Sequence, residues 1–443
     1  MSHMSHEPSH PGSRHFRAVS APDLSTLSGA VNATYDRLDD LVRVARDHYR
    51  RITPEPADVP RPTTTDGTAL PPHVPDVAWV RRAALTAADG LTITANGTAN
   101  FDGNSTAFLA DLGRDLRKDG ITVAHVAAAA EALGRALCDL YDHPYPGADL
   151  TYQAAEQAGL PVGLTELLQT VDLGVRIAAL GAVEDEDAGI PAAADAEVLE
   201  IQHRSPRVTV VRLTATPPQT GWAGQFLEVR TPAEPEQWRS AASAIPPNHG
   251  GLLEFPLVHP VGAPPQVTVG EHWVVANPTG GLELSTDTPT LMIALGAGLA
   301  PLRALILDAS SHDTVPPVHL YWQVDNPDDL HEYTGLLGLA GVFDWLTVTP
   351  VVTDATATGD EDWFATPERE HFTIYSRPGP EQLVNGEDLR HGTAAGVAVA
   401  DNRQAGRRVL VAGGPEDATA VNEAVNALTA AGVDPAMITA EPM

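Results

Sequence analysis

Residues 291–308, with the sequence LMIALGAGLAPLRALILD, set the architecture of the C-terminal part of the chain. An apolar run leads into Gly296-Ala297-Gly298, and apolar residues then recur at helical spacing, at Leu302, Leu305 and Ile306. This order predicts a buried parallel strand, a glycine turn and the start of a helix. Glycines let a backbone approach a phosphate closely, and the first free N–H groups of a helix point at an anion. Because such turns also join strands to helices without a ligand, the stretch alone leaves ligand binding open.

The segments on either side of this turn predict the remaining domains. Further short apolar strands at 318–321, 346–352 and 408–412 alternate with helices, which predicts a doubly wound parallel sheet over 289–443. Strands at 198–201, 208–213, 225–230, 252–258 and 272–275 predict an antiparallel barrel over 194–288. Helical spacing over 26–190 predicts an all-α domain with helices at 26–49, 77–87, 106–118, 122–141 and 165–183. The fold class is therefore multidomain α+β, with a disordered tail at 1–25 and a solvated acidic hinge at 184–187.

Composition narrows the class of protein. The chain has 443 residues, 58 acidic against 27 basic residues and a net charge of −31, which disfavours nucleic acid and anionic lipid as partners. Cys138 is the single cysteine, so an internal disulfide or a cysteine-ligated metal cluster is excluded. No apolar run reaches the ~18 residues of a membrane span. We expect a cytoplasmic protein without membrane insertion.

The order of domains and three motifs resemble the flavohaemoglobin-like fusions of a globin with a ferredoxin reductase. The motifs are Gly296-x-Gly298-x-x-Pro301 with Gly413-Gly414-Pro415, the barrel entry at 224–229 (GQFLEV), and LGRDLRKDGITVAHV at 112–126. The last motif resembles the globin segment that carries the proximal histidine. The resemblance implies a globin-like domain over 26–190, an FAD-binding-like barrel and an NAD(P)-binding-like domain. It also implies nitric oxide dioxygenase-like electron transfer from NAD(P)H through FAD to haem.

The haem position departs from that family. Leu116 stands where the resemblance places the proximal histidine, and an alkyl side chain cannot ligate iron. Val126 stands where a supporting tyrosine is expected, and His125 beside it would face about 100° away on a helix. Tyr49 matches the distal tyrosine, or is an aromatic residue of a core helix.

The flavin and nucleotide positions depart as well. In the run that resembles the family's Arg-x-Tyr-Ser motif, Arg239 is kept, but Ala241 and Ala242 replace the aromatic and hydroxyl residues. Ser243 could substitute only through a one-residue slip, which turns it to the opposite face of the strand. On the nucleotide side, Asp325 replaces an arginine, and its charge opposes a phosphate.

These departures predict a pseudoenzyme, because cofactors carry this chemistry and side chains cannot supply it. The vestigial cofactor-binding residues would be Arg239, Gly296, Gly298, Pro301, Gly414 and Pro415. We expect no catalytic residue, no metal, no haem and no FAD, while NAD(P) binding stays open. The expected role is binding of an unidentified protein partner, with self-association as a homo-oligomer left open. Two alternatives remain: a working NAD(P)H-dependent flavin oxidoreductase that uses Arg239, and a nitric oxide dioxygenase with haem held by His125.

Overall fold

The computed structural model describes residues 22–52, 91–93, 99–148, 150–353 and 389–442. The expected tail at 1–25 lies almost entirely outside these ranges, and the helix expected at 77–87 lies wholly outside them. The chain divides into two compact units. Within the described residues, unit 1 holds the helical residues up to 113 and 123–183, and unit 2 holds residues 114–122 and everything from 184 onward.

Unit 1 is built from helices. They are α1 (Leu27–Tyr35), α2 (Leu38–Ile52), α3 (Gly103–Leu116), α4 (Val123–Leu140), α5 (Tyr152–Gln157) and α6 (Val162–Asp187), and a short hairpin of β1 (Leu91–Ile93) and β2 (Ala99–Phe101) precedes α3. Helices α3 and α6 cross at backbone contact, since a Cβ on Gly113 would lie 1.7 Å from the Ala178 oxygen and one on Gly181 would lie 2.1 Å from the Ala110 oxygen. Glycine is therefore required at both crossing points.

Two helical predictions were wrong in their bounds. The single helix expected over 26–49 is two helices, and the chain turns at Asp36 and Arg37 between them. The acidic run 184–187 is the last turn of α6 and not a hinge, because Glu184 and Asp185 form ion pairs with Arg114 at 2.6 Å and 3.4 Å. Neutralisation by an arginine lets four consecutive acids continue the helix.

The antiparallel sheet of unit 2 contains the five predicted strands and one more, Glu234–Ala241, that the strand pattern did not include. Its strands are β3 (Ala193–Ser205), β4 (Val208–Thr216), β5 (Leu227–Thr231), β6 (Glu234–Ala241), β7 (Leu252–Val258) and β8 (His272–Ala276), in the order β6-β5-β8-β3-β4-β7. Alternate side chains of these strands fill one core, in which Phe255 and Trp273 stack with ring centroids 6.4 Å apart. The six strands therefore form one antiparallel sheet around a single core.

The parallel sheet confirms the doubly wound prediction. It contains β9 (Thr290–Leu295), β10 (Val318–Val324), β11 (Leu346–Val352), β12 (Arg390–His391), β13 (Arg408–Gly413) and β14 (Ile438–Pro442), in the order β12-β11-β10-β9-β13-β14. Helices α7 (Leu299–Ala309) and α8 (Tyr333–Val342) cover one face. Helices α9 (Ala394–Ala400) and α10 (Ala418–Ala430) cover the other. Because β9 is central and buried at every residue, its apolar run is continuous and not alternating.

Within the described ranges, no single helix has the length and apolar character of a membrane span, and the pair 103–119 and 123–140 passes such a test only jointly, with a bend of 115°. The same ranges contain no group of three or more His, Cys, Asp or Glu side chains arranged to hold a metal ion.

Candidate functional site

The glycine turn lies where strand β9 enters helix α7, at the carboxyl edge of the parallel sheet. Gly296 adopts a φ of +50°, which favours glycine, and residues Gly296–Gly298 form one turn of 3₁₀ helix before α7 begins. A Cβ on Gly298 would lie 2.1 Å from the Ala412 oxygen on β13. Both glycines are thus required by the backbone itself, which is the ligand-free explanation of the motif. Pro301 is buried in the first turn of α7.

A second glycine, Gly414, faces this turn from the end of β13. Its N–H donates to the Asp417 carboxylate at 2.9 Å, and the same carboxylate oxygen would lie 3.2 Å from a Cβ on Gly296. Pro415 begins the short 3₁₀ helix Pro415–Asp417. The Asp417 carboxylate therefore already accepts the hydrogen bond that the Gly414 N–H could donate to a ligand.

The charge at this edge is negative. Burial raises the pKa of the Asp417 carboxyl above its ordinary value, and the charges of Glu416 and Asp325 act in the same direction. Asp325, at the end of β10, accepts a hydrogen bond from Thr353 at 2.9 Å and lies 3.7 Å from Arg207. The three carboxylates of Asp417, Glu416 and Asp325 disfavour an anion at this edge, and Arg207 offsets part of the charge of Asp325.

Arg239 lies on β6, opposite Val229 of β5. Its guanidinium makes a bidentate ion pair with Glu234 at 2.7 Å and 2.6 Å, and its side chain is 58 % exposed. An exposed pair of this kind contributes about 0–1 kcal/mol, so the arginine can exchange its partner at little cost.

The residues after Arg239 are packed and not open. Ala242 and Ala244 are buried in the core cluster that also contains Leu299 and Ala300 of α7. The Ser243 hydroxyl donates to the Ile245 carbonyl at 3.0 Å, and it accepts from the Ile245 and Glu254 amides at 3.3 Å each. The Ser243 hydroxyl is therefore hydrogen-bonded to nearby backbone groups. The small side chains of Ala242 and Ala244 let helix α7 pack closely against this segment.

An ion network not predicted from the sequence closes the junction between the antiparallel sheet and α7. Arg303 of α7 donates to the Ala244 carbonyl at 2.7 Å and to the Glu254 carboxylate of β7 at 3.0 Å. Arg212 of β4 binds the other oxygen of Glu254 at 2.8 Å. Glu332 extends the network, 3.4 Å from Arg303 and 3.7 Å from Arg204.

The network leaves little space. The space between its members has a volume of about 10 Å³, and it is also lined by Leu299, Ala300 and His331. Burial lowers the pKa of His331, whose Nδ1 donates to the Asp329 carbonyl at 2.9 Å. Small-ligand pockets are on the order of 300–1,000 Å³. The sequence carried a signal for this network, because Glu254 and Arg303 are single charged residues inside otherwise apolar runs.

The segment with the proximal position is fixed to the antiparallel sheet. Leu116 is the last residue of α3 and is 7 % exposed. Just after it, the buried Lys118 pairs with Asp115 at 2.6 Å and with Glu228 of β5. Trp238 of β6 donates to Asp119 at 2.9 Å, with the Lys118 ammonium 5.1 Å from its ring centroid.

The other haem candidates lie in unit 1. His125 and Val126 are both buried on α4, 1 % and 6 % exposed, so the structure covers both faces of the helix that they occupy. Tyr49 is half-buried on α2. Leu116 itself has no side-chain atom that can ligate iron.

Comparison with known proteins gives the same architecture. A flavohaemoglobin from Malassezia yamatoensis, solved with bound FAD and haem, is 15 % identical and covers 96 % of this chain and 99 % of its own, with a TM-score of 0.60. The FAD/NAD-binding domain of a nitric oxide dioxygenase from Vibrio cholerae is 15 % identical and covers 57 % of this chain and 99 % of its own, with a TM-score of 0.42. No protein-family model matches the chain.

Among curated proteins, the anthranilate 1,2-dioxygenase electron transfer component of Acinetobacter baylyi is 26 % identical over 147 residues. Those residues are 32 % of this chain and 41 % of the relative, so the chain spans about two fifths of that relative's length. The chain therefore has the fold of the Malassezia yamatoensis flavohaemoglobin, a helical part followed by an antiparallel and a parallel sheet, and the predicted resemblance in fold is confirmed.

Proposed function

We propose that this chain is a non-catalytic member of the flavohaemoglobin fold, which binds a protein partner and does not transfer electrons. The observation that carries the proposal is the contact of Arg303 with Ala244 and Glu254. Together with the buried Ala242, it joins helix α7 directly to the antiparallel sheet, where the resemblance places the flavin ring. A space of about 10 Å³ at that junction holds a water molecule at most.

Each of the other cofactor positions supports the proposal independently. Leu116 gives a haem no axial nitrogen, and the charges of Asp417, Glu416 and Asp325 oppose that of a pyrophosphate. Without a haem, a flavin or a nicotinamide nucleotide, this body has no group that accepts or passes on a hydride or an electron. Erosion at three positions that serve one electron path has one common explanation, which is loss of that path.

The visible absorption spectrum of the freshly purified full chain tests the proposal. We expect a sample without a Soret band and without flavin absorption, and no reduction of ferricyanide by NADH or NADPH. Titration with FAD, NADH and NADPH is expected to leave the melting temperature unchanged, because a ligand that binds the folded state raises it. A yellow sample that oxidises NADH would contradict the proposal.

A double variant tests whether a cofactor is excluded by like charge at the glycine turn or by the packed junction at Arg303. Asp325→Asn with Asp417→Asn removes two charges at the glycine turn and leaves the Arg303 network intact. We expect this variant to gain a rise in melting temperature with NADH but none with FAD. An increase with FAD as well would show that the junction opens for a flavin.

The alternative function is a working NAD(P)H-dependent flavin oxidoreductase. It is favoured by the fold, since the flavohaemoglobin of similar fold was solved with bound FAD and haem, and by the exposed guanidinium of Arg239. Arg239→Gln distinguishes the two functions. The flavin enzyme predicts that this variant loses flavin during purification, whereas the scaffold predicts wild-type and variant samples with identical, colourless spectra.

A further inference from the structure

A groove lies at the C-terminal end of helix α7, remote from the glycine turn. Its volume is about 260 Å³. Its walls come from the loop before β5, the linker before β9, the end of α7 and the loop after it. The lining residues include Trp222, Ala223, Glu283, Leu305, Asp308 and Ala309. Since α7 has 11 residues and rises about 1.5 Å per residue, its two ends are roughly 15 Å apart. The groove is therefore separate from the glycine turn.

The floor of the groove is apolar. Ala223, Leu305 and Ala309 are buried at 4 %, 5 % and 1 % exposure, and all three line the groove. Trp222 stands at the edge with 52 % of its surface exposed, although a large aromatic residue is stabilised by burial. The groove thus has the indole ring of Trp222 on one side and alkyl side chains at its base.

The rim of the groove is acidic. Glu283 is exposed and Asp308 is half-buried, and none of the lining residues, all within the described part of the chain, is a lysine or an arginine. Asp308 lies 3.8 Å from the exposed His312. The C-terminal end of a helix carries partial negative charge, which also favours a cation. These features together select a positively charged group.

We infer that the groove binds an arginine side chain of a protein partner. Arginine combines an apolar stem, which matches the floor, with a planar guanidinium that stacks on aromatic rings and pairs with carboxylates. The volume lies just below the ~300–1,000 Å³ of drug-sized ligand sites, so it suits one long side chain and not a dinucleotide. A net charge of −31 steers a basic partner toward the chain.

Binding of the peptide acetyl-Gly-Ala-Arg-Ala-Gly-amide to the full chain tests the inference, with saturation-transfer NMR as the measurement. The control ligand has citrulline, an uncharged analogue of similar shape, in place of arginine. We expect the arginine peptide to bind about tenfold more tightly than the citrulline peptide. We also expect competition by sodium chloride, because an exposed charge pair is screened.

Two variants assign the binding to the groove. Trp222→Ala and the pair Glu283→Gln with Asp308→Asn are each expected to weaken the arginine peptide by about tenfold. The matched control is Glu156→Gln with Glu423→Gln, which removes two exposed charges elsewhere and is expected to bind as the wild type. Because Trp222 is half exposed, we expect its replacement to leave the fold intact, and circular dichroism checks this.

The inference fails if the citrulline peptide binds as tightly as the arginine peptide, or if the groove variants bind as the wild type. Equal weakening in the control variant would assign the effect to net charge and would also overturn it. Binding of free agmatine without binding of the peptide would identify a small-amine site instead.

Discussion

The Glu254 carboxylate on strand β7 accepts a hydrogen bond from Arg303 of helix α7 at 3.0 Å and one from Arg212 at 2.8 Å. The Glu254 side chain is only 5 % exposed, so one buried anion connects the antiparallel sheet to the first helix of the parallel sheet.

Glu254→Gln removes the charge and keeps the shape of this side chain. We expect a loss of roughly 2–3 kcal/mol in the free energy of unfolding, below the ~3–5 kcal/mol of a fully isolated buried pair, because Arg303 keeps Glu332 and Arg212 keeps Glu200. Urea denaturation measures it. Glu200→Gln is the matched control, since it breaks the exposed half of the Arg212 contact and should cost less than about 1 kcal/mol. Equal losses would show that burial of Glu254 contributes nothing.

Gly298→Ala tests whether the glycine turn is required by packing. A Cβ there would lie 2.1 Å from the Ala412 oxygen, so the helix must shift, and we expect a loss of roughly 2–4 kcal/mol in stability. Gly338→Ala is the control, because a Cβ at this helical position meets nothing within 4 Å. It should gain about 0.5–1 kcal/mol from helix propensity. A Gly298→Ala variant as stable as the wild type would remove the packing explanation of the motif.

Because of the buried His319, we expect the free energy of unfolding to fall in mild acid. Burial, together with Arg403 and Arg407, lowers the pKa of His319 from 6.5 to about 4. Between these values the unfolded chain binds the proton and the folded chain does not, so stability falls as pH drops from about 6.5 toward 4 and levels off below. The full effect is up to about 3 kcal/mol.

The measurement is urea denaturation at pH 7.0 and pH 4.5. His319→Gln, which keeps a partner for the Thr349 hydroxyl, should show a smaller difference between the two pH values than the wild type. His312→Gln alters an exposed histidine and should leave the difference unchanged. The same pH difference in all three proteins would place the effect elsewhere.

Lys118 is the only lysine of the chain and is 5 % exposed. Burial alone would lower its pKa, but the charges of Asp115 and Glu228 and their hydrogen bonds outweigh it and raise the pKa. The resulting stability is present below pH 10.5 and is lost as pH rises through the higher folded value. We expect acetic anhydride to modify Lys118 in the folded chain at least about tenfold more slowly than in urea, because modification requires local opening.

Mass spectrometry of the Lys118 peptide follows this reaction. Glu228→Gln removes one partner and should accelerate the labelling, whereas Glu197→Gln, an exposed acid on β3, should not. Rapid labelling of the folded wild-type chain would show that the segment 114–122 is not held on the sheet.

The sequence by itself determined the strands and the order of the parts. Periodicity located β7 and β11 at their observed bounds, and the continuous apolar run before Gly296 identified the central strand, because burial on both faces leaves no polar position. It also predicts, through the family resemblance, that Leu116, Ala241 and Ala242 replace cofactor-binding residues, because the residue type decides whether a side chain can ligate, stack or donate; this stays a prediction.

Only the tertiary structure decided which residues far apart in the sequence come into contact. Glu254 and Arg303 are 49 residues apart, and Lys118 and Glu228 are 110 apart, so no local pattern predicts that they meet. Sequence spacing encodes the faces of helices and strands, whereas ion pairs and close backbone contacts depend on how those faces are brought together.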